Sequence, residues 1–306
     1  MNLQHPKKII ITAAVNGPFT MRHKLPGAPF DGNPNVPYTP EEVAKANKEC
    51  FDEGAAIAHT HTRNPQTGAN VHDAELFSQN HRLIRARTSM LCNPTTGGGG
   101  MITHEERISI IPALAKMGAG SAPELAEVSA GSFNLDMYDP ETKKWAFGSL
   151  VFNNNHAAYE MFLDVCRQHN VKPVNACFEY SHLDNVVRMY RKGLIKAPVF
   201  IDFAFCGGNI VGGLQPTLEN LQGFLQRIPD DLPHLWGVVS MGVHEFPLAI
   251  AAASLGGNVR FGLEDYHYAD YGCPNNANLV RQFVPIAESL GRKPATTDET
   301  RQFLGL

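Results

Sequence analysis

Apolar residues fall along this chain in eight short, near-continuous runs, and a longer stretch of helical spacing follows each one. The runs are Lys8–Val15, Ala55–Thr62, Met90–Thr96, Leu125–Ser132, Pro173–Tyr180, Pro198–Phe205, His234–Met241 and Asn258–Glu264. Their richness in Val, Ile and Ala is the mark of parallel strands buried on both faces. Helices are predicted from about Thr39 to Glu53, Ala74–Thr88, Thr103–Met117, Asn155–His169, His182–Gly193, Pro216–Ile228, His244–Leu255 and Asn275–Leu290. Thr39 suits an N-cap, Pro40 the first helical position and Gly54 the stop. Thr103-His104-Glu105-Glu106 is a capping box. The stretch through Trp145, after the fourth strand, suggests a small hairpin.

Eight βα units in order predict an α/β protein with a (β/α)8 TIM barrel rather than an open doubly wound sheet. The 306 residues slightly exceed the ~250 of one such barrel, so residues 1–306 read as one domain with insertions. The largest insertion, about residues 17–38, holds five prolines and three glycines and follows the first strand. It is either an active-site lid or a surface insertion.

Composition narrows the partners. Hydrophobic residues make up 43% and charged residues 18%, as in a soluble enzyme with a large core. The net charge of −4 and the lack of a basic stripe argue against nucleic acid or an anionic membrane surface. No apolar run reaches the ~18 residues of a membrane span. Ile9–Val15 is short for a signal peptide, and Asn16-Gly17-Pro18-Phe19 is a poor cleavage site. The six cysteines form no C-x-x-C pair, so buried reduced thiols and a cytoplasmic location are expected.

Chemistry in such a barrel collects at the C-terminal ends of the strands. His59 and His61 end the second strand, and residues two apart on a strand share a side. Both imidazoles can therefore meet one divalent metal, for which zinc is the natural choice. The alternative is a pair of hydrogen-bonded histidines. Glu264 ends the eighth strand, which neighbours the first in a closed barrel, so it can supply a third ligand and leave positions open for substrate. Asp265 faces differently and suits a general base. Arg260 shares Glu264's parity and lies deeper, where it needs a carboxylate partner or binds substrate charge; a structural ion pair is the other reading. Thr95-Thr96-Gly97-Gly98-Gly99-Gly100 can cradle a carboxylate or phosphate, and Cys206–Gly213 can admit a phosphate-bearing cofactor. Arg63, just past the histidines, can hold a substrate carboxylate but reads rather as an exposed loop arginine, and His244 reads as a cap-region histidine more than as a ligand. Ser129, Ser132 and Asn134 can line the pocket. A Ser/His/Asp hydrolase is not indicated.

Thr12-Ala13-Ala14-Val15-Asn16-Gly17, Thr39-Pro40-Glu41-Glu42, His59-Thr60-His61-Thr62-Arg63, Thr95-Thr96-Gly97-Gly98, Ala130-Gly131-Ser132-Phe133-Asn134 and Arg260-Phe261-Gly262-Leu263-Glu264-Asp265 occur in that order. Together they resemble the β-keto acid cleavage enzymes over nearly the whole chain. The resemblance implies a zinc-dependent barrel, a homo-oligomer (dimer or tetramer), that condenses a β-keto acid with acetyl-CoA. The products are acetoacetate and a new acyl-CoA. It implies His59, His61 and Glu264 as zinc ligands, Asp265 as base and Arg260 as the charge-stabilising residue, with Thr95 and Gly98 binding substrate. This chain departs from the family's type member at Phe19, Val174 and Ala176, where that enzyme carries acidic residues, and at Glu127, a substrate-side position where it has threonine. The departures weaken any case for a cationic substrate. A metal-dependent hydrolase of the amidohydrolase type is the alternative. It would place H-x-H on the first strand and further histidines on strands five and six.

Overall fold

The computed structural model describes residues 6–24, 31–98 and 102–306. Eight parallel strands form the centre: β1 (Ile11–Ala14), β2 (Ile57–Thr60), β3 (Leu91–Pro94), β4 (Leu125–Ser129), β5 (Lys172–Cys177), β6 (Val199–Cys206), β7 (His234–Met241) and β8 (Asn258–Phe261). Their order is β3-β2-β1-β8-β7-β6-β5-β4. A single parallel bridge between Thr95 and Glu127 joins β3 to β4 and closes the ring. The expected (β/α)8 barrel is therefore present.

Helices α1 (Pro40–Asp52), α2 (Ala74–Arg85), α3 (His104–Ile108), α4 (Ile110–Lys116), α5 (His156–Gln168), α6 (Tyr180–Arg191), α7 (Leu218–Leu225), α8 (Phe246–Ser254) and α9 (Asn276–Ser289) cover the outside. Thr39 caps α1 through a complete capping box with Glu42. The helix expected over Thr103–Met117 is broken at Ser109 into α3 and α4. Pro112 explains the break: it has no N–H for the carbonyl of Ile108, and its ring would crowd that carbonyl. A last helix, α10 (Thr297–Leu304), has its own capping box from Thr296 and Glu299.

The interior is layered. Ile57, Leu91, Leu125, Val174 and Phe200 meet at the N-terminal end with Ala295 and with Leu304 of α10, which plug the floor. Such side chains contribute roughly 1.5–3 kcal/mol each on burial. Alternate strand residues, among them Ile201, Phe203, Val238 and Cys177, face outward into the core beneath the helices. The hairpin expected near Trp145 is there: Asp136–Asp139 pairs antiparallel with Lys144–Trp145. Ile210–Val211, after β6, joins its other edge. Phe133–Asn134 also pairs with Val151–Phe152, so this excursion covers the mouth beside β4–β6.

Candidate active site

His59 lies on β2, level with Ala14 of β1 and Asn93 of β3, and is fully buried. His61 is one turn of pleat beyond. Asn16 fixes it by accepting from its N–H at 3.2 Å, and its carbonyl accepts from Asn16 and from Asn80 of α2. The two rings lie 5.3 Å apart and 75° to one another.

Glu264 arrives from the other side. β8 stops at Phe261, and at Gly262 the chain passes so close to β1 that any Cβ would strike the carbonyl of Ala14. The following segment is strapped in place. Asn276 at the start of α9 accepts from Leu263 N at 2.8 Å. Thr20 donates to the carbonyl of Leu263. Glu245, before α8, accepts from Gly262 N and from the Tyr268 hydroxyl at 2.6 Å. Glu264 then sets Oε1 3.0 Å from His61 Nε2 and Oε2 3.2 Å from His59 Nε2. Gly17 packs so tightly on this carboxylate that a side chain there would displace it.

Arg260 binds three carboxylates at once. Nη1 donates to Glu127 at 2.6 Å, and Nε and Nη2 donate to Asp265 at 2.8 and 2.9 Å. Nη2 also lies 2.5 Å from Glu264 Oε1. Asp265, expected to face differently from Glu264, in fact shares the Arg260 guanidinium with it. The strand pleat ends at Phe261, and the bend at Gly262 turns both carboxylates onto one guanidinium.

These contacts set the protonation. Burial opposes a charged Glu264, but Arg260, His59 and His61 outweigh it and hold the carboxyl well below its usual range. Burial raises Asp265 to about 7 despite Arg260, with Glu264 adding to the rise. Burial disfavours charge on His59, yet Glu264 and Glu127 raise its pKa; on His61 burial prevails and lowers it.

The residues present fit a divalent metal. Donor atoms of His59, His61 and Glu264 all lie within 4.8 Å of one another. His59 Nε2 and Glu264 Oε2 are buried and complete no hydrogen bond. Two buried carboxylates, Glu264 and Asp265, and the half-buried Glu127 face one guanidinium, an excess of negative charge that a cation between the imidazoles offsets.

Other expected residues find different places. Arg63 is buried, not exposed: it donates to the carbonyls of Gly17, Thr20 and, at 2.6 Å, Gly68. Its hairpin with Asn70–Val71 turns it inward under the segment after β1. Thr95 Oγ1 accepts from Gly97 N at 2.9 Å, and Gly98 has Ile102 where a Cβ would go; Gly99 and Gly100 lie outside the described residues. Gly212, in the loop after β6, presses on the carbonyl of Asn134, so close packing accounts for that glycine. Ser129 is buried at the end of β4, whereas Ser132 and Asn134 are exposed. Val174 belongs to the floor and only Ala176 to the mouth, because inward positions two apart differ by one layer. His244 accepts from Phe246 N in the cap region as expected. His182 bonds to Ser132 O and Phe178 N, away from the cluster.

Sequence reasoning passed over Asp202 and Glu245. Asp202 is the one charged residue in the apolar run of β6, a signal that was available; burial, with Glu127 adding, raises its carboxyl to about 7. Glu245 gave no local sign, because its partners lie 17 and 23 residues away.

The fold and this cluster define a (β/α)8 barrel whose mouth can hold a metal between two histidines of one strand and a glutamate beyond the last. The chain belongs to the β-keto acid cleavage enzyme family, whose profile matches residues 8–306. It is 32% identical over 304 residues to the 3-keto-5-aminohexanoate cleavage enzyme of Acetoanaerobium sticklandii, spanning 98% of this chain and 99% of that one. It is 30% identical over 317 residues to the 3,5-dioxohexanoate:acetyl-CoA acetone transferase of Paraburkholderia graminis, spanning 98% and 96%. Among solved structures, the apo structure of ObcA superposes with a TM-score of 0.71 at 17% identity, over 89% of this chain and 66% of that chain. Among the described residues, no helix is long and apolar enough to cross a membrane.

Proposed function

We propose that this enzyme exchanges the acyl group of a β-keto acid with acetyl-CoA: R–CO–CH2–COO⁻ and CH3–CO–SCoA give CH3–CO–CH2–COO⁻ and R–CO–SCoA. The observation that carries the reading is the buried junction of Arg260 with Glu127, Glu264 and Asp265 against His59 and His61. His59, His61 and Glu264 would hold zinc, which when bound supplies Lewis-acid polarisation of the substrate's oxygens.

Asp265 takes the proton from the carbon between the keto and carboxylate groups, at a pKa suited to a base near neutral pH. The resulting carbon nucleophile attacks the thioester carbonyl. Arg260, already oriented by its carboxylates, meets the negative charge that develops. Glu127 keeps that guanidinium aimed and, with Thr95 bridged to it and Gly98 further along the same loop, borders the substrate. The returning thiolate cleaves the C–C bond next to the R-bearing carbonyl, and the proton returns to the acetoacetate carbon.

Cytoplasmic placement and a homo-oligomer accompany this reading; six free cysteines, five of them buried, support a reducing compartment. Incubation of the pure protein with β-keto acids and acetyl-CoA, following acetoacetate and acyl-CoA together, tests it. Equal amounts of the two products are expected. In His59→Ala the zinc measured by mass spectrometry is lost, and the rate falls on the order of 10³-fold. Equal zinc in both proteins would remove the ligand assignment. Hydrolysis of amides or lactones without acetoacetate would restore the amidohydrolase reading.

A further inference from the structure

The inward-facing positions near the C-terminal ends of β5, β6 and β7 are Ala176, Ala204, Cys206, Val239 and Met241. Their inward placement follows from strand alternation, since the residues between them, such as Phe203, Phe205 and Val238, belong to the outer core. The five form one apolar cluster with Phe133, Phe152 and Phe178. Phe133 stacks on Phe178 at 4.3 Å, and Phe152 stands edge-on to Phe133 at 5.7 Å. No member of this cluster carries a charge.

The cluster reaches the metal-binding residues through the segment after β1. Gly17 packs on the Glu264 side chain, and Phe19, two residues on, packs on the apolar cluster. Ser129 of β4 is level with Ala176 of β5, so the polar and apolar walls adjoin there as well. Asp202 lies one inward position below Ala204, and the charged groups acting on it are Glu127, Arg260 and His59. It is level with Ala176 of β5 and forms the lower edge of the wall, where the wall meets the polar centre.

A β-keto acid has its reacting oxygens at one end and R at the other. With the oxygens at His59, His61 and Arg260, R extends toward β5–β7. A charged R would lose its water against the methyl groups and aromatic rings of this cluster, none of which is a counter-ion. We infer that the wall of Ala176, Ala204, Val239 and Met241, closed by Phe19 and the three-ring cluster, is the acyl subsite, and that the substrate is a β-keto acid whose R is an uncharged hydrocarbon. This rests on the reaction proposed above. Ala176 and Ala204 are the smallest side chains of the wall, so their size sets the length of R.

The test uses the metal-loaded protein with acetyl-CoA and three acids of equal backbone length: 3-oxohexanoate, 3-oxo-5-aminohexanoate and 3-oxoadipate. Binding of each is measured in parallel by calorimetry. The kcat/KM for 3-oxohexanoate is expected to exceed both charged acids by at least about 100-fold, because a wall without polar partners rejects charge. Ala176→Asp should narrow that gap toward the cationic acid by at least about 10-fold. Ala204→Leu should lower 3-oxohexanoate against 3-oxopentanoate by roughly 10-fold, the discrimination of one methylene. Turnover with equal or greater preference for either charged acid overturns the inference and leaves the reaction standing. Tight binding of 3-oxohexanoate alone, without turnover, upholds the wall and rejects the reaction. No selectivity in turnover or in binding overturns the inference.

Discussion

From β8 through β1 to β4, the side chains entering the barrel include Arg260, Thr12, His59, Asn93 and Glu127; from β5 to β7 they are Ala176, Ala204, Val239 and Met241 toward the mouth, with Asp202 beneath Ala204 as the charged exception. The layers outside differ in the same way. Behind the polar half, Ser78 and His81 of α2 meet Ser121 at 2.7 and 2.6 Å, and Asn80 holds the carbonyl of His61. Behind the apolar half, Phe203 of β6 stacks on Phe224 of α7 at 4.4 Å. One half is fixed by the direction of hydrogen bonds and the sign of charges, so each member has few alternatives. The other is fixed by volume, which many side chains can fill. The strand scaffold is common to both, and it lets a rigid reactive centre sit beside a wall that can change.

The sharpest way to break this comparison is Arg260→Met. The substitution keeps the volume and removes the one cation that Glu127, Glu264 and Asp265 share. Truncating one side of a buried charge network costs about 3–5 kcal/mol, so the urea midpoint should fall accordingly and activity should vanish. A loss under ~1 kcal/mol would mean that the polar half is held by packing after all.

The same distinction governs what was legible in the sequence. The eight strands could be read because a strand buried on both faces is a run of apolar residues, and His234–Met241 was placed residue for residue. The approach of Glu264 to His59 and His61 followed from ring closure, which sets β8 beside β1 and β1 beside β2. Partner choice within the polar half was not legible. Arg260 meets Glu127 across 133 residues, and only the closed register decides that. Arg63 looked exposed because nothing local shows the carbonyls of Gly17 and Thr20 that surround it. The apolar wall was half visible: Ala176 was noted, but Val174, two residues earlier, fell one layer lower into the floor.

Acid should expose the polar half next. His81 is fully buried, with Nδ1 on the carbonyl of Ser121 at 2.6 Å and Nε2 without a partner. Burial lowers its pKa from 6.5 to about 4, so the folded state favours the neutral ring. The stability this confers is fully present above pH ~6.5 and is lost as the pH falls toward 4. About 3 kcal/mol goes over that window, at roughly 1.36 kcal/mol per pH unit. Urea unfolding of the protein and of His81→Gln between pH 7 and 4 checks the sign. The difference between the two should shrink as pH falls, and a difference that grows would contradict the assignment.

The smallest expected effect tests the apolar half. Phe178 lies at the end of β5, 6% exposed, and its ring is stacked on Phe133. Phe178→Leu keeps an apolar side chain of similar reach and gives up the stacking contact. Apolar swaps of this kind cost under about 1.5 kcal/mol, and an aromatic pair adds ~0.5–1.5 kcal/mol beyond its area, so a loss of about 1 kcal/mol is expected. Neither His59, His61, Glu264 nor Arg260 has Phe178 as a hydrogen-bonding or charged partner in the contacts that fix them. Metal content should therefore match that of the unaltered protein, while the ranking of β-keto acids by length of R shifts. The informative failure is a fall in zinc, or an equal fall in rate for every acid. Either would show that the ring positions the reacting centre as well as the acyl group, and that the two halves of the mouth are mechanically one.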